Sequence, residues 1–291
     1  PGTDVAAATP RATLSFGQAV TPWSLAAGDY ELTLTEGGNP ANVLLTSTTF
    51  TVPAASTAAF VIVSGGNIGP ASPGVMVLDG SAANVVIDKN TGAELRVLNG
   101  ATDTLPRDVA LNSQFAPPAF TNVPFATDTA YVPLAAGNNT VDVTPAGNPG
   151  VSELNQSLAI TINTRYTLLF SGDAGALKHA LVPDDTRRIS TEAKVRLLNV
   201  AQPFALVDFF IVQPGTDITT VLPIATIAAP GASTVLSIPP GTYDVALREN
   251  GTTNVLAGPQ AITVAGGGIY TVLGVSGADA ASAGVVLLDD F

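Results

Sequence analysis

Few side chains of this chain could carry chemistry, and the only histidine is the first to consider. A Ser/His/Asp triad would have to include His179, because the chain offers no other imidazole as the base. His179 follows Leu177 and Lys178 in a segment whose pattern predicts a strand. Cysteine is absent, which excludes thiol nucleophiles, disulfides and thiolate metal sites. We therefore predict no catalytic residue and no enzymatic activity.

Paired acids are the second candidate. Asp184-Asp185 and Asp289-Asp290 each place two carboxylates side by side, which would suit acid-base chemistry if both groups faced one substrate. Neighbouring residues of a strand point to opposite faces, however. We expect these acids to keep strand ends soluble.

A calcium site is the more specific interpretation of these aspartates, because hard cations take several oxygen ligands from loops. The chain has no Asp-x-Asp-x-Asp-Gly run. The nearest combinations, Asp79 with Asp88 and Asp173 with Asp184, are far apart in sequence. We predict no metal site and no cofactor, and keep calcium as the alternative.

Two further motifs lack the context that their chemistry needs. The glycine-rich segment Gly65–Gly69 follows a strand pattern but precedes no helix and no lysine, so it does not form a phosphate cradle. An internal amide between a lysine and an asparagine would need a buried lysine beside an acid. The three lysines, Lys89, Lys178 and Lys194, occupy positions that do not match one another, and we do not expect such a bond.

The elements that position these residues come from an internal repeat. The segment Pro1–Leu34 matches Pro214–Leu247 without a gap, and Ala93–Asn99 matches Ala193–Asn199. Self-similarity at a fixed period indicates an array of similar domains. We place the three repeats at residues 1–88, 93–188 and 193–291, and expect the first to lack the two opening strands of the others.

The local pattern predicts strands throughout. Short β-branched and aromatic runs are separated by clusters such as Gly37-Gly38-Asn39-Pro40 and Glu249-Asn250-Gly251, which favour hairpin turns. Glycine and proline are spread so evenly that no helical period survives. The sequence predicts an all-β protein of tandem antiparallel β-sandwich domains, immunoglobulin-like or transthyretin-like.

Two aromatic positions recur within this pattern. Tyr30 and Tyr243 each follow a glycine turn, and we expect each ring to close a core edge with its hydroxyl on a hydrogen-bond partner. The middle repeat has Asn139 there, and Tyr131 is a candidate to fill the gap. Trp23 aligns with Leu236, which favours core packing over an exposed sugar-stacking platform.

Composition limits the partners. The net charge is −12 and charged residues make up 12% of the chain, against about 25% in typical proteins. An acidic surface argues against nucleic acid, which is bound by clustered lysine and arginine. No apolar run reaches the roughly 18 residues that would span a bilayer. A polar, acidic, cysteine-free chain is typical of secreted or cell-surface bacterial proteins.

Several of these motifs together resemble a known family. The string Arg-Leu-Leu-Asn at 196–199, then Val207-Asp208, Pro-Gly-Thr-Asp at 214–217, Gly-x-Tyr at 241–243 and a closing strand that ends in Asp289 is similar to the bacterial family of domains of unknown function numbered 4397. The resemblance covers essentially the whole chain as tandem copies. It implies an extracellular or cell-envelope β-sandwich without established activity, and it brings no catalytic residues.

The incomplete first repeat leads to a hypothesis about assembly. Its missing strands would leave an open edge that another strand could pair with, supplied by preceding sequence or by a neighbouring molecule. The residues beside that edge are Thr13, Leu14, Tyr30, Leu32 and Leu34. We expect a structural array that self-associates or binds other envelope proteins, and keep as the alternative a secreted or periplasmic module that recognises glycan or another envelope component.

Overall fold

The computed structural model describes residues 5–63, 74–78, 83–277 and 282–290. The chain divides into two compact units, residues 1–92 and residues 93–291. Nearly all regular structure is β, as predicted, and the described residues include no helix long and apolar enough to cross a bilayer. The glycine-rich segment Gly65–Gly69 and the candidate acid Asp79 lie outside the described residues.

The described residues of unit 1 form a 3₁₀ turn at Val5–Ala7 and seven strands in three small sheets. Its strands are β1 (Gly28–Tyr30), β2 (Thr33–Glu36), β3 (Asn39–Thr46), β4 (Phe50–Val52), β5 (Ala59–Val63), β6 (Gly74–Leu78) and β7 (Ala83–Val86). The sheets are β1-β4, β2-β3 and β5-β6-β7. Leu45, Val75 and Val86 form the buried centre, with Phe60 and Val77 packed against it.

Unit 2 holds repeats two and three. The strands of repeat two are β8 (Ala93–Ala101), β9 (Arg107–Leu111), β10 (Phe120–Val123), β11 (Val132–Leu134), β12 (Gly137–Pro145), β13 (Leu154–Ile160), β14 (Arg165–Gly172) and β15 (Lys178–Asp184). Those of repeat three are β16 (Ala193–Asn199), β17 (Leu206–Val212), β18 (Ala225–Ala228), β19 (Gly231–Ala232), β20 (Leu236–Ile238), β21 (Gly241–Glu249), β22 (Val255–Val264), β23 (Ile269–Ser276) and β24 (Ala283–Asp289).

Each of these repeats is a sandwich of two sheets with the same strand order. Repeat two has β11-β8-β14-β15 over β10-β9-β12-β13, and repeat three has β19-β16-β23-β24 over β18-β17-β21-β22, with β20 also on β16. Strand pairing is antiparallel except that β8 runs parallel to β14 and β16 runs parallel to β23. The prediction of antiparallel sandwiches is therefore confirmed with one parallel pair in each repeat.

The opening strands of both repeats are buried on both faces. In β16, Val195 and Leu197 point into the sandwich core, whereas Arg196 and Leu198 point away from it. A strand covered on both sides is a continuous apolar run rather than an alternating one. The outward residues of β8 and β16 are buried because the two sandwiches pack against each other.

The described part of unit 1 contains no counterpart of these opening strands. β18 of repeat three pairs with β17, and the described part of unit 1 has no strand equivalent to β17. Thr13 and Leu14, which align with β18, accordingly lie outside any strand. Trp23 aligns with β20, which needs β16, and Trp23 is 47% exposed. The prediction that Trp23 packs in a core is wrong, because the described part of unit 1 contains no counterpart of β16 to receive its ring.

Candidate functional site

His179 has the surroundings of an edge residue. It lies on β15 opposite Phe170, and burial lowers the pKa of its imidazole below the ordinary value. Within the described ranges its ring makes no hydrogen bond to a hydroxyl or to a carboxylate. The geometry around His179 therefore offers no nucleophile and no orienting acid, and the absence of enzymatic activity stays a prediction.

The adjacent acids diverge, as their strand positions predict. The side chains of Asp184 and Asp290 are each only 3% exposed, whereas Asp185 is 43% exposed and Asp289 is exposed. The expectation that all four acids keep strand ends soluble is wrong for the two buried ones. Both point into the contact between repeats two and three, which we call the seam.

At the centre of the seam is a buried network of two arginines, two aspartates and two threonines. Arg96 Nη1 donates to Asp290 Oδ1 at 2.9 Å, and Arg196 Nη1 donates to Asp184 Oδ1. Thr167 and Thr271 donate to Asp184 and Asp290 respectively. Arg96 Nε also donates to Thr167 at 2.8 Å. Asp128, whose side chain is 28% exposed, also accepts from Arg96 Nη1 at 2.5 Å, so each of the two buried arginines has at least one carboxylate partner, as buried charges require.

The contacts of this network are reciprocal. Arg96 and Arg196 occupy matching positions on β8 and β16, and each lies opposite a threonine of the parallel strand, Thr167 or Thr271. The arginine of repeat two binds the aspartate of repeat three, and the arginine of repeat three binds the aspartate of repeat two. Such an exchange is the mark of an isologous interface. Repeats two and three are thus related by a pseudo-twofold axis through the seam.

Tyr131 adds an aromatic group to the network. Its hydroxyl donates to Asp184 Oδ2 at 2.6 Å, and its ring lies 5.2 Å from the guanidinium carbon of Arg96 and 5.4 Å from that of Arg165. Burial raises the pKa of the Tyr131 hydroxyl, and the charge of Asp184 raises it further. The suggestion that Tyr131 replaces the tyrosine missing at Asn139 is wrong, because Tyr131 belongs to the seam.

The electrostatics of Arg96 follow from the same contacts. Burial by itself lowers the pKa of Arg96, but the charge of Asp290, with Tyr131 and Asp184, raises it overall. Arg96 therefore stays charged at any pH at which the fold persists. A cavity beside the network, bordered by Lys194, Val235 and Tyr270, measures about 10 Å³, room for no ligand larger than water.

An apolar layer continues the seam beyond the charges. Its buried members are Leu98, Leu169, Leu198, Val200, Leu273 and Val275. The packing is closest at Gly100, where an added Cβ would lie 2.5 Å from the Cβ of Val200 and 2.9 Å from the carbonyl oxygen of Phe170. Any side chain at residue 100 would force the sheets apart, so glycine there sets the distance between the repeats.

The link between repeats two and three carries an ion pair of its own. Lys194 Nζ donates to Asp185 Oδ2 at 2.6 Å, and the lysine side chain is 4% exposed. Sequence spacing gave no sign of a buried lysine beside an acid. Burial raises the pKa of Asp185, but the hydrogen bonds from Lys194 and from the amide of Arg187, together with the charges of these two residues, lower it overall. A carboxylate that is ionised and partly exposed favours an ion pair rather than an amide.

Two motif residues that recur in both complete repeats hold the sandwich together. Asn99 donates to the carbonyl of Val123, and Asn199 donates to that of Ile227, at 3.0 and 2.8 Å. Each asparagine thereby ties the end of its opening strand to the opposite sheet. Asp208 accepts hydrogen bonds from Thr226, Asn250 and Arg248, which lower its pKa against the opposing effect of burial.

The recurring tyrosine also has a structural contact. Tyr30 donates to the carbonyl of Ala26 at 2.8 Å, and Tyr243 donates to that of Pro239 at 2.9 Å. Both bonds reach back four residues, as the prediction of a hydroxyl with a partner required. In repeat two, Asn139 Nδ2 donates to the carbonyl of Ala135 at 2.8 Å, again four residues back. The asparagine therefore makes the same bond with a smaller side chain.

The residues predicted beside an assembly edge lie in unit 1. Tyr30 ends β1 and Leu34 lies in β2. Leu32 lies between the two strands, and its amide N–H donates to the Ser47 hydroxyl oxygen. Leu32 and Leu34 pack on the small core of the unit. Thr13 and Leu14 lie outside any strand and are exposed.

The candidate metal ligands that the structure describes do not come together. Asp173 accepts from Thr102, Asp184 belongs to the seam, and Asp88 lies in unit 1, where it accepts from the amide of Thr46. The described ranges contain no group of three or more acidic or histidine residues that could hold a metal ion.

Fold and site together define a β-sandwich protein in which two repeats form one unit through a buried ionic seam. Residues 93–210 match the family described as Domain of unknown function (DUF4397), so the chain carries a domain of that family. The match spans repeat two and reaches into β17 of repeat three. No curated protein is similar enough to count as a match.

Among solved structures, one similar chain is the Bacillus anthracis TIE protein, with 9% sequence identity and a TM-score of 0.21. The alignment covers 91% of this chain and 45% of that chain. The chain thus spans less than half the length of that protein, and a likeness at this level carries no argument about function.

Proposed function

We propose that the protein is a non-enzymatic extracellular structural protein, a tandem β-sandwich array that builds a surface fibre, filament or matrix. The observation that carries this proposal is the seam. A buried and reciprocal ionic contact fixes two domains to each other in one register, whereas domains joined by a plain linker move independently. Rigid coupling of successive domains is what a stalk or fibre needs.

Two findings support this proposal against an enzymatic role. Among the described candidates for chemistry, Asp184 and Asp290 are committed to structural contacts, and His179 stands alone. The cavity beside the seam is too small for a substrate.

The experiment is electron microscopy of the native material together with solution scattering of the chain. A fibre-forming array gives filaments in negative stain, and the coupled repeats give one scattering profile between low and high salt because a buried network is little screened. Single particles at every concentration, without filaments in the native material, would contradict the proposal.

Strand donation between subunits is the proposed route to such a fibre. Within the described residues β5 pairs only with β6, whereas its counterparts β14 and β23 are each flanked on the other side by a parallel strand, β8 or β16. The free edge of β5 would therefore accept a parallel strand of the β16 type. A heterologous contact of this kind propagates if it does not close.

A peptide with the sequence of residues 193–213 tests the donation. It carries β16 and β17 and should bind the full chain, with protection from hydrogen exchange on β5, while a scrambled peptide should not. If the peptide does not protect β5, the strand-donation hypothesis is wrong, whereas the proposal of a rigid array is unaffected.

A glycan-binding module is the second candidate, and one observation favours it. Trp23 is 47% exposed and Phe16 is fully exposed, in one stretch of unit 1, and exposed aromatic rings can stack on sugars. Trp23 is the only tryptophan, so quenching or shift of its fluorescence on a panel of envelope glycans reports binding directly. If the Trp23 fluorescence changes with none of the glycans, the glycan-binding candidate is wrong and only the structural role remains.

A further inference from the structure

One face of unit 1 is apolar and exposed. In the three-stranded sheet, Val61 lies opposite Met76 and Met76 opposite Val85, so these three side chains share a face. Ala59, Leu78 and Ala83 form the next row of the same face. Val61 is 40% exposed, Leu78 37% and Val85 60%. These two rows, which we call the outer face, contain no polar or charged side chain.

The outer face corresponds to the surface that forms the seam in the other repeats. Val61 pairs with Met76 as Leu273 pairs with Val286, and the inward neighbours Phe60 and Val77 match Val272 and Leu287. In repeat three, Leu273, Val286 and Leu288 all belong to the apolar layer of the seam. The same face of the same two strands is thus covered in repeat three and open in unit 1.

The seam also shows what kind of surface covers this face. In unit 2 each sandwich is covered by the equivalent face of another copy, and reciprocal contacts relate the two by a pseudo-twofold axis. We propose that the outer face of unit 1 is covered by the outer face of unit 1 in a second copy of this chain, so that the internal pseudo-twofold pairing becomes a true twofold dimer.

The chemistry of the face agrees with this partner. Ala59 stands where the seam has Thr167 and Thr271, and no described strand of unit 1 corresponds to β8 or β16, which bring the arginines. An uncharged face offers nothing to orient a charged ligand, whereas a second apolar face matches it and carries no buried charge to pair. The dimer contact lacks the ion pairs of the seam and has fewer strands. We therefore expect it to be weak enough to dissociate on dilution.

The test uses the full chain and two readouts. Sedimentation equilibrium gives the dimer dissociation constant, and Met76, the only methionine, gives a single methyl resonance at the centre of the outer face. We expect a monomer-dimer equilibrium and a shift of the Met76 methyl signal with the same midpoint. A chain that stays monomeric at every concentration, or that dimerises while the Met76 signal does not move, overturns the proposal.

Substitutions locate the contact. In a twofold dimer, Val85→Lys brings one positive charge from each copy into the same contact. The substitution should therefore raise the dissociation constant by about tenfold or more. Val255→Lys makes the same substitution at a 44% exposed strand position of repeat three and should leave the dissociation constant unchanged. Mixing the Val85→Lys and Val85→Glu chains should restore a heterodimer. A Val85→Lys chain that dimerises like the parent overturns the proposal.

The proposal goes beyond the structural role and fails separately from it. Strand donation at the edge of β5 gives open-ended assemblies, whereas pairing of outer faces gives a closed dimer. A fibre can therefore exist without this dimer, and the dimer can exist in a protein that forms no fibre.

Discussion

The seam of unit 2 and the outer face of unit 1 are built on equivalent strands, yet one contains buried charges and the other contains none. The positive charges of the seam are those of Arg96 on β8 and Arg196 on β16. They pair with Asp290, which directly follows β24, and with Asp184, which ends β15. Unit 1 has neither the arginines nor, at Ala59, the threonine beside them. The comparison indicates that the apolar part of this surface is common to the three repeats and the ionic part is specific to a pair that must hold one orientation.

This difference has an energetic side. Replacing a buried ion pair by apolar residues is often neutral, whereas removing one partner leaves an uncompensated charge. We therefore interpret the Arg96–Asp290 and Arg196–Asp184 pairs as setting the register of repeats two and three rather than as a large net source of stability. The predictions below separate these two roles.

The largest effect is expected at Asp290. Asp290→Ala leaves Arg96 buried without one of its carboxylates and Thr271 without its acceptor, and should lower the free energy of unfolding by about 3–5 kcal/mol. Asp289→Ala, the adjacent exposed acid, should change it by less than about 0.5 kcal/mol. Urea unfolding of the full chain, followed by hydrogen exchange so that each repeat is seen separately, measures both. A joint Arg96→Leu and Asp290→Leu change should cost less than Asp290→Ala alone, and an equal or larger cost would contradict the register interpretation.

The second effect concerns the distance between the repeats. Gly100→Val adds atoms where a Cβ already meets Val200 at 2.5 Å, and overpacking of this kind should destabilise unit 2 by about 1–3 kcal/mol. The combination of Gly100→Ala with Val200→Ala should recover part of what Gly100→Ala alone loses. Gly150→Ala, with only a side-chain oxygen 3.8 Å away, is the matched control. A loss at Gly150 as large as that at Gly100 would show that the close approach of the repeats is not the cause.

The third effect is on the link between the repeats and depends on pH. The pKa of Asp185 is lowered in the folded chain, so its contribution is present above the ordinary carboxyl pKa of about 4 and is lost as the pH falls through the lowered value. The acid is partly exposed, and the pair should contribute no more than about 0.2–1 kcal/mol. Asp185→Asn should therefore flatten the acid side of the stability profile and leave the profile near neutral pH only slightly lower.

The same pair can be checked for covalent linkage. Because the Asp185 carboxylate is ionised, we expect the intact mass of the chain to equal that of its sequence. A mass lower by one water molecule that reverts in Asp185→Ala would show that Lys194 and Asp185 are joined by an amide.

The sequence alone predicts the fold class, because strand patterns and glycine turns are local signals. Hairpin turns fall where Gly38 and Gly251 adopt positive φ angles, and Tyr30 and Tyr243 make the expected backward bonds. These features depend on neighbours along the chain, which a single sequence contains.

The seam could not be predicted, because its partners are far apart in sequence. Asp184 and Asp290 look like surface acids, since an acid at a strand end is usually exposed. Their burial depends on Arg196 and Arg96 of the other repeat. One signal was present, namely that Arg96 and Arg196 interrupt strands that are otherwise apolar on both faces. Trp23 was misplaced for the related reason that its expected core needs a counterpart of β16, which the described residues of unit 1 do not include.

The smallest effect is expected for a lysine placed on the outer face of unit 1, and a lysine placed in the seam is its comparison. Leu198→Lys puts an unpaired charge into the seam and should destabilise unit 2 strongly, because Leu198 is fully buried. Val85→Lys makes the same kind of change on the outer face, where the side chain is 60% exposed, and should alter the stability of unit 1 by less than about 0.5 kcal/mol under dilute conditions. Trp23 fluorescence and hydrogen exchange follow unit 1 during unfolding. If Val85→Lys destabilises the monomer as Leu198→Lys does, the outer face is already covered within the chain, and its equivalence to an open half of the seam is wrong.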